Sequence, residues 1–166
     1  PSTQATILGD IVLNLKNSGI RKLLILNGHG GNDFKPMIRE LGVKYPDMFL
    51  GVCQWFQSVE KEALFENMGD HADEMETSLM LHLTPELVLP LNEAGNGSAR
   101  KFKVSAFNES WAWTERQWNK VTDDTGIGYP KKASKEKGEQ YFQKVTEKIS
   151  QLMIELSETD VEEMYE

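Results

Sequence analysis

Apolar residues alternate between helical spacing and short continuous runs along the first third of the chain, and that alternation predicts the fold. Ile7, Ile11, Val12 and Leu15 share one face of a helix predicted from Thr3 to Ser18, which the cluster Asn17-Ser18-Gly19 ends. After a very short connection, Lys22 to Leu26 reads as a buried strand. Met37, Ile38, Leu41 and Val43 carry a second helical face, capped by Asn32 or Asp33 and ended near Tyr45-Pro46. A second apolar strand, Met48 to Gln54, follows. Helix, strand, helix and strand joined by short links form the α/β pattern, a mostly parallel sheet flanked by helices.

The pattern is less regular further on. Asp73-Glu74-Met75-Glu76 has capping-box spacing and opens a helix that runs to His82, before Thr84-Pro85 breaks it. From Leu89 to Tyr129 the sequence is rich in Gly, Asn and Trp, with Val104 to Phe107 as a short strand and no long periodic stretch. Such a segment in a compact domain usually serves function. A long amphipathic helix is predicted from Lys132 to about Ser157, with Tyr141, Val145, Ile149, Met153 and Leu156 at helical spacing. Residues 1–157 read as one α/β domain without internal repeats, and the acidic tail 158–166 is expected to fray.

Charge and composition narrow the partners. A formal net charge of −8 opposes a nucleic-acid backbone. The interrupted basic cluster Lys131 to Lys137 reads as a solvated helix start. No run approaches the roughly 18 to 20 apolar residues of a membrane span. Cys53 is the only cysteine, so no intrachain disulfide or CxxC knuckle exists. A reducing, cytoplasmic setting is the expectation, with Cys53 packed in its strand rather than acting as a nucleophile.

The candidate chemistry lies in two clusters. In Asn27-Gly28-His29-Gly30-Gly31-Asn32 a strand ends in a glycine turn, the position at which open α/β sheets present ligand-binding groups. The small neighbours of His29 leave room for a ligand or metal; the plainer alternative is a histidine hydrogen-bonded within its turn. A dinucleotide fingerprint is discounted because its third glycine is replaced by Asp33, which would repel a phosphate at the helix start. The second cluster, Asp70 to Glu76, holds four carboxylates and His71. Acidic helix starts are common for dipole reasons, but Glu76 shares helical spacing with Leu79, Met80 and Leu83, the face expected to be buried. A buried carboxylate needs a partner, and either a metal ion or a capping-box contact with Asp73 would supply one. His82 reads as a helix C-terminal residue facing the dipole. Trp111, Trp113 and Trp118 could line a pocket for a small flat substrate, or pack in the core or between subunits.

Read together, LLILNGHGGN, HADEMETSLMLHLTPELV and TGIGYPKKASKEKGEQYF, in that order, resemble the creatininase family of creatinine amidohydrolases. The resemblance implies a three-layer α/β sandwich and a hydrolase acting on C–N bonds of cyclic or linear amides. It also implies a two-metal centre of zinc or manganese, with iron compatible with the same ligands, and a homo-oligomer, often a hexamer. By this resemblance His29 is a metal ligand. A ligating glutamate of the family is replaced by Gly31, so Glu76 is inferred to supply that carboxylate. His71 matches a histidine that contacts substrate and assists proton transfer. Gly30, Gly31, Asn32 and Asp70 are candidate substrate-binding positions, Asp70 also being placed to orient a nearby imidazole. Family members carry an earlier Glu-x-His pair and an aspartate that complete the ligand set. The expectation is therefore a C-terminal portion of a longer enzyme, the alternative being a non-catalytic α/β binding or assembly subunit with an incomplete metal site.

Overall fold

The structure, a computed structural model, describes residues 2–67 and 69–165. Helix α1 (Ser2–Asn17), strand β1 (Lys22–Asn27), helix α2 (Lys35–Lys44) and strand β2 (Phe49–Gln54) follow one another as the apolar pattern predicts. The strands pair in parallel, in register from Lys22 opposite Phe49 to Asn27 opposite Gln54. A hairpin cannot join parallel neighbours, and α2 is the crossover. Leu8, Val12, Met37, Leu41, Tyr45 and Met48 form a buried cluster, against which Leu23, Ile25 and Leu50 of the sheet pack. Leu23 and Ile25 are two apart on β1, as one face of a strand requires. The fold is α/β, a parallel sheet flanked by helices.

Three local expectations change here. On α1 the buried residues are Leu8 and Val12, whereas Ile7 and Ile11 of the predicted apolar face are 56% and 46% exposed. The N-cap of α2 is Phe34, which makes no side-chain cap, while Asp33 Oδ1 accepts from the backbone N–H of Lys35 at 3.1 Å. Val43 is 85% exposed and lies off the core face that Met37 and Leu41 define.

The chain forms two compact units, residues 1–58 with 147–166, and residues 59–146. In the second unit, helix α3 (Glu74–Leu83) starts at the N-cap Asp73, whose carboxylate accepts from Glu76 N–H at 2.9 Å. Its buried residues are Glu74, Met75 and Ser78, whereas Met80 and Leu83 are 40% and 51% exposed. The expected burial of the face shared by Glu76, Met80 and Leu83 is thus corrected. The reason is a close backbone approach: a Cβ on Gly138 would lie 1.9 Å from the carbonyl oxygen of Ser78. Small residues make this contact, so the Ser78 side turns inward.

The irregular stretch holds a 3-10 turn at Leu91–Glu93 and two one-turn helices, α4 (Ser105–Asn108) and α5 (Trp118–Val121). No strand forms at Val104 to Phe107. The Asn108 carboxamide instead takes the N–H of Phe102 at 2.9 Å and donates to its carbonyl at 2.8 Å, closing the segment into a turn. Helix α6 (Lys135–Glu158) begins after a separate 3-10 turn at Pro130–Lys132.

The acidic tail is held by contacts as far as Glu163. Asp160 caps a 3-10 turn at Val161–Glu163, Glu162 pairs with Arg21 at 2.6 Å, and Lys22 Nζ donates to the carbonyls of Leu156 and Thr159. These partners lie more than a hundred residues away in sequence, beyond any local signal of order. Among the described residues, no helix is long and apolar enough to cross a membrane.

Candidate functional site

In the first unit the glycine turn begins where β1 stops. Asn27, 2% exposed, is the last strand residue, and its carboxamide organises the turn. Its Oδ1 accepts from His29 N–H at 3.3 Å and from Asn32 Nδ2 at 3.2 Å, and its Nδ2 donates to the Asn32 carbonyl at 3.3 Å. The His29 carbonyl then accepts from Asn32 N–H at 3.1 Å. A buried carboxamide with four bonding sites is suited to holding a loop that has no ladder of its own. The turn leaves His29, Gly30 and Gly31 exposed, beside the ring of Phe56, which a Cβ on Gly30 would meet at 3.6 Å.

His29 Nδ1 accepts a hydrogen bond from Gly31 N–H at 2.9 Å. A metal on Nδ1 would compete with that N–H for one lone pair. A metal on Nε2 would require Nδ1 to carry the proton, so it could no longer accept from Gly31. Either mode of ligation therefore releases the Gly31 amide. A Cβ on Gly31 would lie 3.0 Å from the imidazole, so glycine at this position lets the ring fold back over the turn.

In the second unit, His71 is fixed through its backbone. It exchanges hydrogen bonds with Ile127, whose carbonyl also accepts from Asp70 N–H at 2.9 Å. Gly69 and Gly128 flank this bridge, and a Cβ on Gly128 would come within 2.5 Å of Asp73 Cβ. The Gly128 N–H reaches the carbonyl of Gly97 at 2.9 Å, so the loops that carry these two glycines pair with each other. Ala72 has φ of 51°, a left-handed conformation that turns the chain from the bridge into α3.

The side chains around His71 come from a distant segment. Its ring lies 4.9 Å from that of Trp118, and the Arg116 guanidinium sits 4.7 Å from the centre of the Trp118 ring. Arg116 also forms a two-pronged pair with Asp70, Nη1 donating to Oδ1 at 3.1 Å and Nη2 to Oδ2. Trp111 and Trp113 are 74% and 86% exposed. Sequence reasoning passed over Arg116, because nothing local pairs it with a carboxylate forty-six positions earlier.

Glu76 is half-buried and its Oε2 accepts from the N–H of Ala72 at 2.6 Å, one residue before the Asp73 cap, so the capping box is displaced by one position rather than strictly reciprocal. Two carboxylates are buried, the N-cap Asp73 and Glu74; Glu74, 0% exposed, takes Lys137 Nζ at 2.5 Å and the backbone N–H groups of Glu66 and Asn67. Burial pushes its pKa up, but the bonds from Lys137 and Asn67 outweigh this and hold it below the ordinary carboxylate value. Lys137 is therefore a structural partner and not part of a purely solvated cluster. His82 Nδ1 is buried without a hydrogen-bond partner among the described residues, and its ring lies 5.5 Å from Phe142. Burial also raises the Cys53 thiol, so the group favours its protonated form.

Imidazole and carboxylate are donors of the type that zinc and manganese accept. His29 belongs to the first unit and Glu76 to the second. Among the described residues, no group of three His, Cys, Asp or Glu side chains gathers to hold a metal ion. The donor chemistry fits a divalent metal, while a complete ligand set is not assembled by these residues.

The sequence profile of the creatininase family, described as creatinine amidohydrolase, matches residues 1–153. Among solved structures, a Bacteroides fragilis NCTC 9343 protein provisionally assigned as a creatinine amidohydrolase is 48% identical, with a TM-score of 0.89. The match covers 99% of this chain and 64% of that protein. A mutant creatininase complexed with creatine is 24% identical with a TM-score of 0.73, over 95% of this chain and 66% of that one. A creatininase designated as the manganese form is also 24% identical, with a TM-score of 0.72 over 95% and 65%. This chain thus spans less than two thirds of the length of these solved structures. Among curated proteins, none matches significantly.

Proposed function

This chain belongs to the creatininase family, and from that premise we propose that the protein is a metal-dependent amidohydrolase cleaving a C–N bond in a small amide, lactam or formamide. The observation that carries the reading is the His29 turn: a histidine offered to solvent between glycines, at the carboxyl end of a parallel strand, on a loop held by a buried asparagine. The order of the three family-like motifs supports it.

In this reading His29 and Glu76 are metal donors, and zinc or manganese, with iron compatible, supplies Lewis-acid polarisation of the scissile carbonyl and activation of water. Gly30 and Gly31 offer bare backbone against which a small planar amide can lie. Asn32 has its side chain engaged with Asn27 and acts by holding the loop in shape. His71 gives a proton from its imidazole to the leaving nitrogen, and Asp70 belongs to the support around it. Assembly as a homo-oligomer, a hexamer by analogy, belongs to the same proposal.

Substitution tests the roles separately. His29→Ala and Glu76→Gln are expected to lower bound metal and hydrolysis of small amides together, whereas His71→Ala is expected to lower hydrolysis with metal content kept. Unchanged metal content and activity in His29→Ala would refute the assignment. One rival is a non-catalytic assembly subunit, which the lack of a gathered group of three metal donors among the described residues favours. That rival requires no hydrolysis of any amide in the panel by the metal-loaded protein.

A further inference from the structure

We propose that Arg116 and Trp118 are positioning residues that fix the imidazole of His71, acting through a closed ring of contacts with Asp70. The proposal rests on the reading of His71 as the proton donor.

The backbone of His71 is pinned by Ile127, but among the described residues its ring makes no hydrogen bond. Its orientation is therefore set by what it packs on, the Trp118 ring at 4.9 Å with an interplanar angle of 55°. Trp118 itself is 38% exposed and opens a one-turn helix, so burial alone does not hold it. The guanidinium of Arg116 does, lying over the indole at 4.7 Å. Arg116 is in turn aimed by its two-pronged grip on Asp70, the residue covalently joined to His71. The path from His71 through Trp118, Arg116 and Asp70 thus returns to His71.

Each contact in the ring is modest on its own, because its members are partly exposed. Closure makes them support one another, since a rotation of the imidazole must now displace the indole and the guanidinium together. Arginine is required by geometry. Its planar fork meets a carboxylate edge-on while its face covers an aromatic ring, and a lysine ammonium cannot do both. The consequence is catalytic, because a proton donor misplaced by about 1 Å can lose roughly a hundredfold in rate.

The ring-proton resonances of His71, identified by their loss in His71→Ala, report this geometry independently of activity. In the unsubstituted protein they are expected to carry a ring-current displacement from Trp118. Trp118→Leu should abolish it and Trp118→Phe retain much of it. Arg116→Gln and Arg116→Lys should both reduce it, the lysine failing despite its charge. For hydrolysis, Arg116→Gln and Trp118→Leu are expected to lower kcat about tenfold or more, with KM within about twofold. Resonances that superimpose on those of the unsubstituted protein would overturn the proposal. So would a rise in KM with kcat intact, which would make Trp118 a substrate platform instead. Full activity in His71→Ala, together with the expected displacements in the unsubstituted protein and their changes in the Trp118 and Arg116 variants, would refute the proton-donor role alone, leaving the ring of contacts standing.

Discussion

The carboxamide oxygen of Asn27 holds the backbone N–H of His29 at 3.3 Å, so the histidine at the heart of the glycine turn is positioned by a side chain buried beneath it. Asn27→Ala leaves the His29 N–H and the Asn32 amide without that partner. A loss of about 1 to 3 kcal/mol in unfolding free energy is expected, with a drop in metal affinity. Urea unfolding and metal titration check this. Metal binding unchanged beside a destabilised fold would separate Asn27 from the site.

Metal ligation by His29 has a spectroscopic consequence at Gly31, because both ligation modes end the hydrogen bond from Gly31 N–H to Nδ1. Titration with zinc or manganese is expected to increase solvent exchange of the Gly31 amide, read by hydrogen exchange. An amide equally protected with and without metal would contradict ligation through this imidazole.

Glu74 and Lys137 form the buried ion pair of the second unit. Lys137→Met, which strips the carboxylate of its cation, is expected to cost about 3 kcal/mol. The Glu74 pKa is held low, so its contribution to stability is present above the unfolded carboxylate value and is lost as pH falls through the folded one. Glu74→Gln should flatten that acid loss, as unfolding midpoints measured down the acid range will show. An unchanged acid slope in Glu74→Gln would refute the assignment.

Tyr141 titrates at the other end. Burial first, and the nearby Asp73 carboxylate second, push its phenol up to about 12. The folded state therefore favours the neutral phenol, and this stability is complete below the ordinary value of 10.0 and lost as pH rises toward 12. Its hydroxyl has no hydrogen-bond partner among the described residues, so Tyr141→Phe should cost no more than about 1 kcal/mol at neutral pH. The same substitution should blunt the alkaline loss, and identical alkaline unfolding curves for the two proteins would contradict this.

The first unit is legible in the sequence because its information is local. The helix carrying Ile7 to Leu15 and the apolar runs at Lys22 and Met48 are each read within one element, and short links leave little choice of partner, although that helix buries Leu8 and Val12 rather than Ile7 and Ile11. Val43 misleads because one apolar residue on a helix flank fits the period without being needed by the core. The His29 turn is visible in its glycines, yet Asn27 reads as one more turn residue, whereas it closes β1, and its work beneath the turn depends on the chain doubling back at Asn32. In the second unit the deciding contacts are distant. Glu76 is a prominent carboxylate on α3, but the buried one is Glu74, because Gly138 draws the Ser78 side of the helix inward. Arg116 lies in a stretch without periodicity, and only folding brings it to Asp70 and Trp118.

The central claim is that this protein hydrolyses amides with a bound divalent metal, and chelation with reconstitution tests it most directly. The protein is stripped of metal, assayed against a panel of small cyclic and linear amides, and assayed again after addition of zinc or manganese. The proposed chemistry predicts hydrolysis of at least one amide that disappears with the metal, returns on its addition, and does not return in His29→Ala. Hydrolysis that survives complete metal removal, or its absence from the whole panel in the metal-loaded protein, would contradict the claim.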